Sequence, residues 1–215
     1  MILPLLKGKV GKEVAVFSPF EWRLIESKLN ADYKIRFNFL MYTGMRISEA
    51  RYVSKHPDCF REANEAIFLP YIDGERRPKK APDGSVIPPS KEEKLGKVRA
   101  KMKDRAVLLN DKGVAATKLF FDQHMGFPSY QAMEGALKRA ARAADFDVRN
   151  IYVKSTRKTW VSWLLNTFPE QEQRISLSMG HDRETMQYYY VVQGFKKDDY
   201  PDMRAETKGW GAGRD

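Results

Sequence analysis

Two short apolar runs, EAIFLP at 65–70 and RAVLLN at 105–110, read as β-strands, while nearly every other patterned stretch of the chain has a helical period. The pattern therefore points to one α-rich domain with a small antiparallel β-sheet, an α+β fold. Proline, glycine and lysine dominate between the two runs (DGERRPKKAPDGSVIPPSKEEKLGK), so residues 71–98 read as a basic loop insertion.

The helical segments carry their own punctuation. In SPFEWRLIESKLN, Ser18 is a candidate N-cap, Pro19 occupies the first helical position and Glu21 stands three residues after Ser18. This is a capping-box arrangement and predicts a helix from about Pro19 to Leu29. In DYKIRFNFLMYTGMRISEARYV the apolar residues Ile35, Phe39, Leu40 and Tyr42 are followed by Ile47 and Ala50, with Gly44 between them. Gly44 should end one helix and leave Arg46 at the start of the next. Further helices are expected near 111–122, in SYQAMEGALKRAARAA, in STRKTWVSWLLNTF, and as two shorter pieces before a triplet of tyrosines at 188–190. Residues after Phe195 are polar, with Gly209, Gly211 and Gly213 near the end, and read as a tail.

Composition narrows the setting. At 215 residues and 42% hydrophobic, the chain can bury a sizeable core. No stretch approaches the ~18 apolar residues of a membrane span, and MILPLLKGKVGKEV is too short an apolar run for a secretory signal. The single cysteine, Cys59, excludes an internal disulfide and fits a reducing, cytoplasmic setting. Cys59 and the three histidines, His56, His124 and His181, show no metal-binding spacing, so no structural zinc is expected. The formal charge of +10 favours an anionic partner such as nucleic acid.

Chemistry concentrates in three places: Arg46 with Glu49 in YTGMRISEA, Lys154, Arg157 and Lys158 in KSTRKTW, and His181 with the tyrosines in MGHDRETMQYYY. TGMRISEA resembles the TG-x-R-x-S-E box of the tyrosine recombinases (the integrase family). KSTRKTWVSWLL resembles their H-x-x-R-H-T box, with lysine in the first place. MGHDRETMQYYY is similar to their third box, in which a Gly-His precedes the nucleophilic tyrosine by nine residues, and nine residues beyond His181 is Tyr190. The boxes occur in the family's order, and the resemblance covers about Ser18 to Val192.

The residue types suit that chemistry. A phosphodiester under attack gathers negative charge on its non-bridging oxygens, and two arginines, Arg46 and Arg157, can clamp it with paired, charge-assisted hydrogen bonds. A tyrosine hydroxyl, with an ordinary pKa near ~10, needs cations and a base to become a nucleophile. Expulsion of the 5'-hydroxyl needs a proton donor, which the resemblance implies is a lysine on a β-hairpin. Lys97, Lys101 and Lys103 precede the second strand, and the family's spacing favours Lys101. Lys154, where the family more often has histidine, would contact the phosphate as a point charge. The resemblance assigns His181 to phosphate binding or proton transfer, and Lys158 supports from behind. Taken alone, Arg46 reads equally as a solvated cation or as the partner of Glu49. Tyr188 reads as packing, and Tyr189 competes with Tyr190.

The resemblance implies the tyrosine recombinase catalytic-domain fold over residues 18–193, between an N-terminal extension (1–17) and a C-terminal tail (194–215). Relatives commonly carry a further helical domain ahead of the catalytic one, so this chain is either a catalytic fragment of a longer integrase or a minimal type without that clamp. It further implies a site-specific recombinase that cuts and rejoins double-stranded DNA through a 3'-phosphotyrosyl bond. The chain would be a monomer in solution and a homotetramer on two DNA sites, with accessory DNA-bending proteins as possible partners. No cofactor is expected, and the lack of a metal-carboxylate cluster of the two-metal nuclease kind suggests a metal-independent reaction. Lysine at 154 and the long loop are similar to the integrases of archaeal viruses and plasmids. A type IB topoisomerase using the same chemistry, and an inactive DNA-binding relic, are the alternatives.

Overall fold

The computed structural model of the chain describes residues 5–7, 13–71, 104–181 and 195–211. A hairpin of β1 (Leu5–Lys7) and β2 (Glu13–Ala15) leads into α1 (Pro19–Ser27), α2 (Ala31–Thr43) and α3 (Ile47–Val53). The antiparallel sheet of β3 (Phe60–Arg61), β4 (Ala66–Leu69) and β5 (Arg105–Leu108) follows, in spatial order β3-β4-β5. Helices α4 (Asp111–Asp122), α5 (Tyr130–Ala143), α6 (Lys154–Thr167), α7 (Glu172–Met179) and α8 (Asp199–Thr207) complete the described chain. The fold is mainly α with a small antiparallel sheet, as the two strand-like runs predict. Among the described residues, no helix is long and apolar enough to cross a membrane.

Local chemistry sets most helix ends. At α1 the capping box forms in both directions: Ser18 Oγ accepts from the Glu21 amide at 3.3 Å, and Glu21 Oε2 accepts from the Ser18 amide at 2.7 Å. Asn30, Asn110 and Ser129 cap α2, α4 and α5 through their side-chain oxygens. Gly44 ends α2 at φ +60°, where a Cβ would lie 2.7 Å from Trp160 Cδ1 and 2.9 Å from Met179 Sδ. Only glycine lets this turn lie so close to α6 and to the end of α7.

Helix α6 is the axis of the core. Every residue from Ser155 to Leu164 is buried, because α6 is covered by α2 on one side, α8 on another and residues 15–17 on a third. Trp163 Nε1 donates to the Phe17 carbonyl at 2.9 Å and Thr159 Oγ1 accepts from the Phe17 amide at 3.0 Å. Residues 14–17, read from the sequence as part of an extension, are thus fully inside. A second apolar layer stacks Phe39, Phe120 and Phe127 between α2 and α4.

The segment after Phe195 differs from the tail expected there. Its charged sequence conceals Met203 and Thr207 on one side of α8 and Trp210 just beyond its end, and all three are buried. Trp210 Nε1 donates to the Leu108 carbonyl at 3.1 Å. Glu206, also buried, accepts from Tyr42 Oη at 3.0 Å and from Lys112 Nζ at 2.6 Å, while Asn110 Nδ2 donates to the Glu206 carbonyl at 2.8 Å. These contacts seat α8 on the domain that the sequence read as ending before it.

Candidate active site

The turn after Gly44 places Arg46 as the residue that enters α3, with Glu49 at the third helical position. Arginine carries no acceptor, so the cap works in one direction: Glu49 Oε2 accepts from the Arg46 amide at 2.8 Å. Glu49 Oε1 also accepts from Arg46 Nη1 at 2.7 Å, so the pairing read from the sequence as an alternative is real. It does not consume Arg46, whose side chain remains 42% exposed and open to a ligand.

Arg157 comes from the buried α6. Its Nη1 donates to the Gly44 carbonyl at 2.6 Å, and its Nη2 donates to the Met179 carbonyl at 2.5 Å and to His181 Nε2 at 2.7 Å. Nη1 also stands 3.7 Å from Glu49 Oε2. Because Nε2 accepts, the imidazole's own proton belongs on Nδ1. Gly180, at φ +64°, ends α7 and turns His181 toward α6. The His181 amide donates to the Ser176 carbonyl at 3.0 Å, and Ser176 Oγ donates back to the His181 carbonyl at 2.8 Å.

A third arginine, not singled out from the sequence, completes the cluster. Arg105 opens β5 with its side chain buried, its Nη2 2.9 Å from Glu49 Oε2 and its Nε donating to the Ser178 carbonyl at 2.9 Å. Its only sequence signal is a charge at the first position of RAVLL, which fits a solvated strand end equally well. Three guanidinium groups, those of Arg46, Arg105 and Arg157, thus surround one carboxylate.

The charges dictate the protonation states. Burial by itself would raise the Glu49 carboxyl, but Arg157, Arg105 and Arg46 outweigh it and hold the group down at about 2. His181 is pushed down to about 3, first by burial and then by Arg157, Arg46 and Arg105. It is a neutral imidazole throughout the physiological range, and the cluster keeps an excess of cationic charge suited to an anion. Beside it, a cleft of about 430 Å³ is lined by Arg105, Arg174, Leu177, Gly180 and His181 among others.

Arg46, Arg157 and His181 are brought together around Glu49. Lys154 is exposed at the start of α6, its ammonium 5.0 Å from the Tyr152 ring centre, and Lys138 lies over the same ring at 5.1 Å. Lys158, one turn along, is buried, and burial with Lys154 nearby pushes its ammonium down to about 8. Lys97, Lys101 and Lys103, and the tyrosines at 188, 189 and 190, lie outside the described residues. Among the described residues, no group of three or more His, Cys, Asp or Glu side chains is arranged to hold a metal ion.

No family model and no curated protein sequence matches the chain. Solved structures do. XerA recombinase aligns over 94% of this chain and 66% of its own, with a TM-score of 0.57 at 15% identity. The Tn1549 transposon integrase in complex with a circular intermediate DNA aligns over 89% of this chain and 65% of its own, again at 0.57 and 15%. The same integrase with transposon right end DNA aligns over 92% and 66%, at the same TM-score and identity. The chain therefore spans just under two thirds of the length of these proteins. Its fold is that of the tyrosine recombinase catalytic domain.

Proposed function

We propose that the chain is a site-specific DNA recombinase that cuts and rejoins strands through a 3'-phosphotyrosyl intermediate. The observation that carries this reading is the convergence of Arg46, Arg157 and neutral His181, from three segments far apart in sequence, around the carboxylate of Glu49. Such a cluster brings guanidinium charge and an imidazole to one phosphate and holds them in place before substrate arrives.

In the proposed reaction the Tyr190 hydroxyl gives up its proton to solvent water as its oxygen attacks phosphorus, forming the 3'-phosphotyrosyl bond while the bond to the 5'-oxygen breaks. Arg46 and Arg157 bind the non-bridging oxygens, His181 adds a hydrogen bond, Lys154 adds a point charge, and Lys101 donates a proton to the departing 5'-oxygen. A 5'-hydroxyl from a second duplex reverses the step, so the phosphoester bond is conserved and no nucleotide is consumed. We assign the biological role to integration or excision of a viral or plasmid genome, carried out by four protomers on two DNA sites.

The experiment is covalent trapping on nicked duplex DNA at low salt with chelator present, read on a denaturing gel. Wild type should give a DNA-shifted band that Tyr190→Phe abolishes and Tyr189→Phe retains. Loss only in Tyr189→Phe would move the nucleophile by one residue. DNA binding without any covalent band would sink the strand-transfer reading.

A further inference from the structure

Arg105 lies outside all three boxes, yet its guanidinium ties Glu49 of the first to the turn that opens the third. Glu49, on α3, has only two carboxylate oxygens: Oε1 is held by Arg46 Nη1, while Oε2 accepts from the Arg46 amide and has Arg105 Nη2 2.9 Å away as an ion pair. Arg157 stands back at 3.7 Å and directs its Nη groups to the Gly44 and Met179 carbonyls and to His181. On its other side Arg105 donates from Nε to Ser178, the residue before the Met179–Gly180 turn, and its guanidinium lies against Gly180, where a Cβ would meet Nη1 at 3.0 Å and Cζ at 3.1 Å. A second bond from the same strand, the Leu108 amide to Ser178 Oγ at 3.0 Å, fixes β5 to α7 in that register.

We propose that Arg105 is a positioning residue of the strand-transfer site, bridging Glu49 to the Gly180–His181 turn so that Arg46, Arg157 and His181 face one phosphate. The proposal rests on the recombinase reading for the reaction, but the bridge itself is a property of the folded protein. Its physical basis is competition. With Arg105 in place, Glu49 Oε2 has a buried, closely paired cation, and Arg157 is left to the backbone carbonyls and the imidazole. Without Arg105 that buried oxygen loses its close cation, and Arg157, 3.7 Å away, closes on it, drawing away from His181 and from the phosphate it should clamp. Loss of the Nε bond would also release the turn that aims His181. Lysine at 105 keeps the charge, but a single ammonium cannot reproduce the planar fork that reaches Glu49 and Ser178 together.

The full chain is compared with Arg105→Lys and Arg105→Met, first confirming by circular dichroism that both are folded at the assay temperature. Single-turnover formation of the covalent complex on nicked DNA should fall about 100-fold in both variants, the scale of a misplaced catalytic group. The Kd for the same DNA should change far less than the rate, because the Arg105 side chain is buried. In parallel, the His181 imidazole proton signal, assigned among three histidines with His181→Asn, is titrated by NMR. It should move toward ordinary histidine behaviour in both variants, less in Arg105→Lys, which keeps the charge. Wild-type cleavage by folded Arg105→Lys and Arg105→Met would overturn the proposal, and so would a loss of affinity equal to the loss of rate. A wild type that forms no covalent complex would sink the recombinase reading instead; the titration then decides the bridge, and an unmoved His181 signal in Arg105→Met overturns it.

Discussion

Arg157 and Gly44, 113 positions apart in the chain, are joined by a 2.6 Å hydrogen bond from the guanidinium Nη1 to the backbone carbonyl. Through it, the turn that launches Arg46 and the helix that carries Arg157 hold a common frame. Fold and site therefore share the same atoms, and a change to the turn should register in both.

Gly44→Ala tests that coupling. The left-handed backbone at φ +60° costs an L-residue about 1–2 kcal/mol. A methyl group 2.7 Å from Trp160 Cδ1 forces a shift in a fully buried ring, which adds roughly 1–3 kcal/mol. Urea unfolding should show the midpoint falling accordingly, and the folded fraction should cleave DNA poorly because the carbonyl that holds Arg157 has moved.

Arg157→Lys should separate charge from geometry. One ammonium cannot serve the Gly44 carbonyl, the Met179 carbonyl and His181 Nε2 together, so a drop in cleavage of about 100-fold is expected. Stability should fall by roughly 1–3 kcal/mol as buried acceptors lose their donor. Single-turnover kinetics and thermal unfolding on the same preparation check both.

The acid side of the stability profile has a defined sign. His181 is held down at about 3 in the folded state against 6.5 ordinarily, so the unfolded chain takes up a proton first as pH falls. Stability should decline from about pH 6.5 toward pH 3, by at most about 1.4 kcal/mol per pH unit for this one proton. Glu49, held down at about 2 against 4.5, contributes stability that is present above pH 4.5 and lost between there and pH 2. His181→Gln should flatten the slope between pH 6.5 and 4.5 in denaturant titrations while leaving the steeper loss below pH 4.5.

Glu206→Ala should loosen α8 selectively. The Tyr42 hydroxyl, buried against Glu206, would lose its acceptor at a cost of about 1–3 kcal/mol. The half-exposed Lys112 and Arg23 add little, because water replaces their partner. Hydrogen exchange should speed up over 199–211 and stay unchanged in α2 and α6.

Arg46, with its side chain 42% exposed, is the arginine of the three best placed to meet DNA in solution. Arg46→Ala should weaken binding across sequences alike and lower the slope of log K against log salt by about 1. Filter binding over a series of salt concentrations measures it, and an unchanged slope would remove Arg46 from the phosphate contacts.

Local chemistry is what the sequence by itself determined. The Ser18–Glu21 capping box, the helix stop at Gly44, the two strands flanking the 71–98 insertion and the helices up to Thr167 are each decided by neighbours within a few residues, and each stands where the pattern put it. Arg46, Arg157 and His181 were legible because each sits in a short box of its own. Arg105 was not, since a charge at the start of a strand carries no sign that a carboxylate 56 residues earlier and a carbonyl 73 residues later will meet it. Nor was the place of α8, whose buried Met203 and Thr207, with Trp210 just after them, are diluted among charges until α6 and β5 supply the surface that buries them. Burial and long-range pairing are properties of the assembled chain. They turned a pair of helix-start arginines, a strand-end arginine and a histidine into one cationic pocket around Glu49.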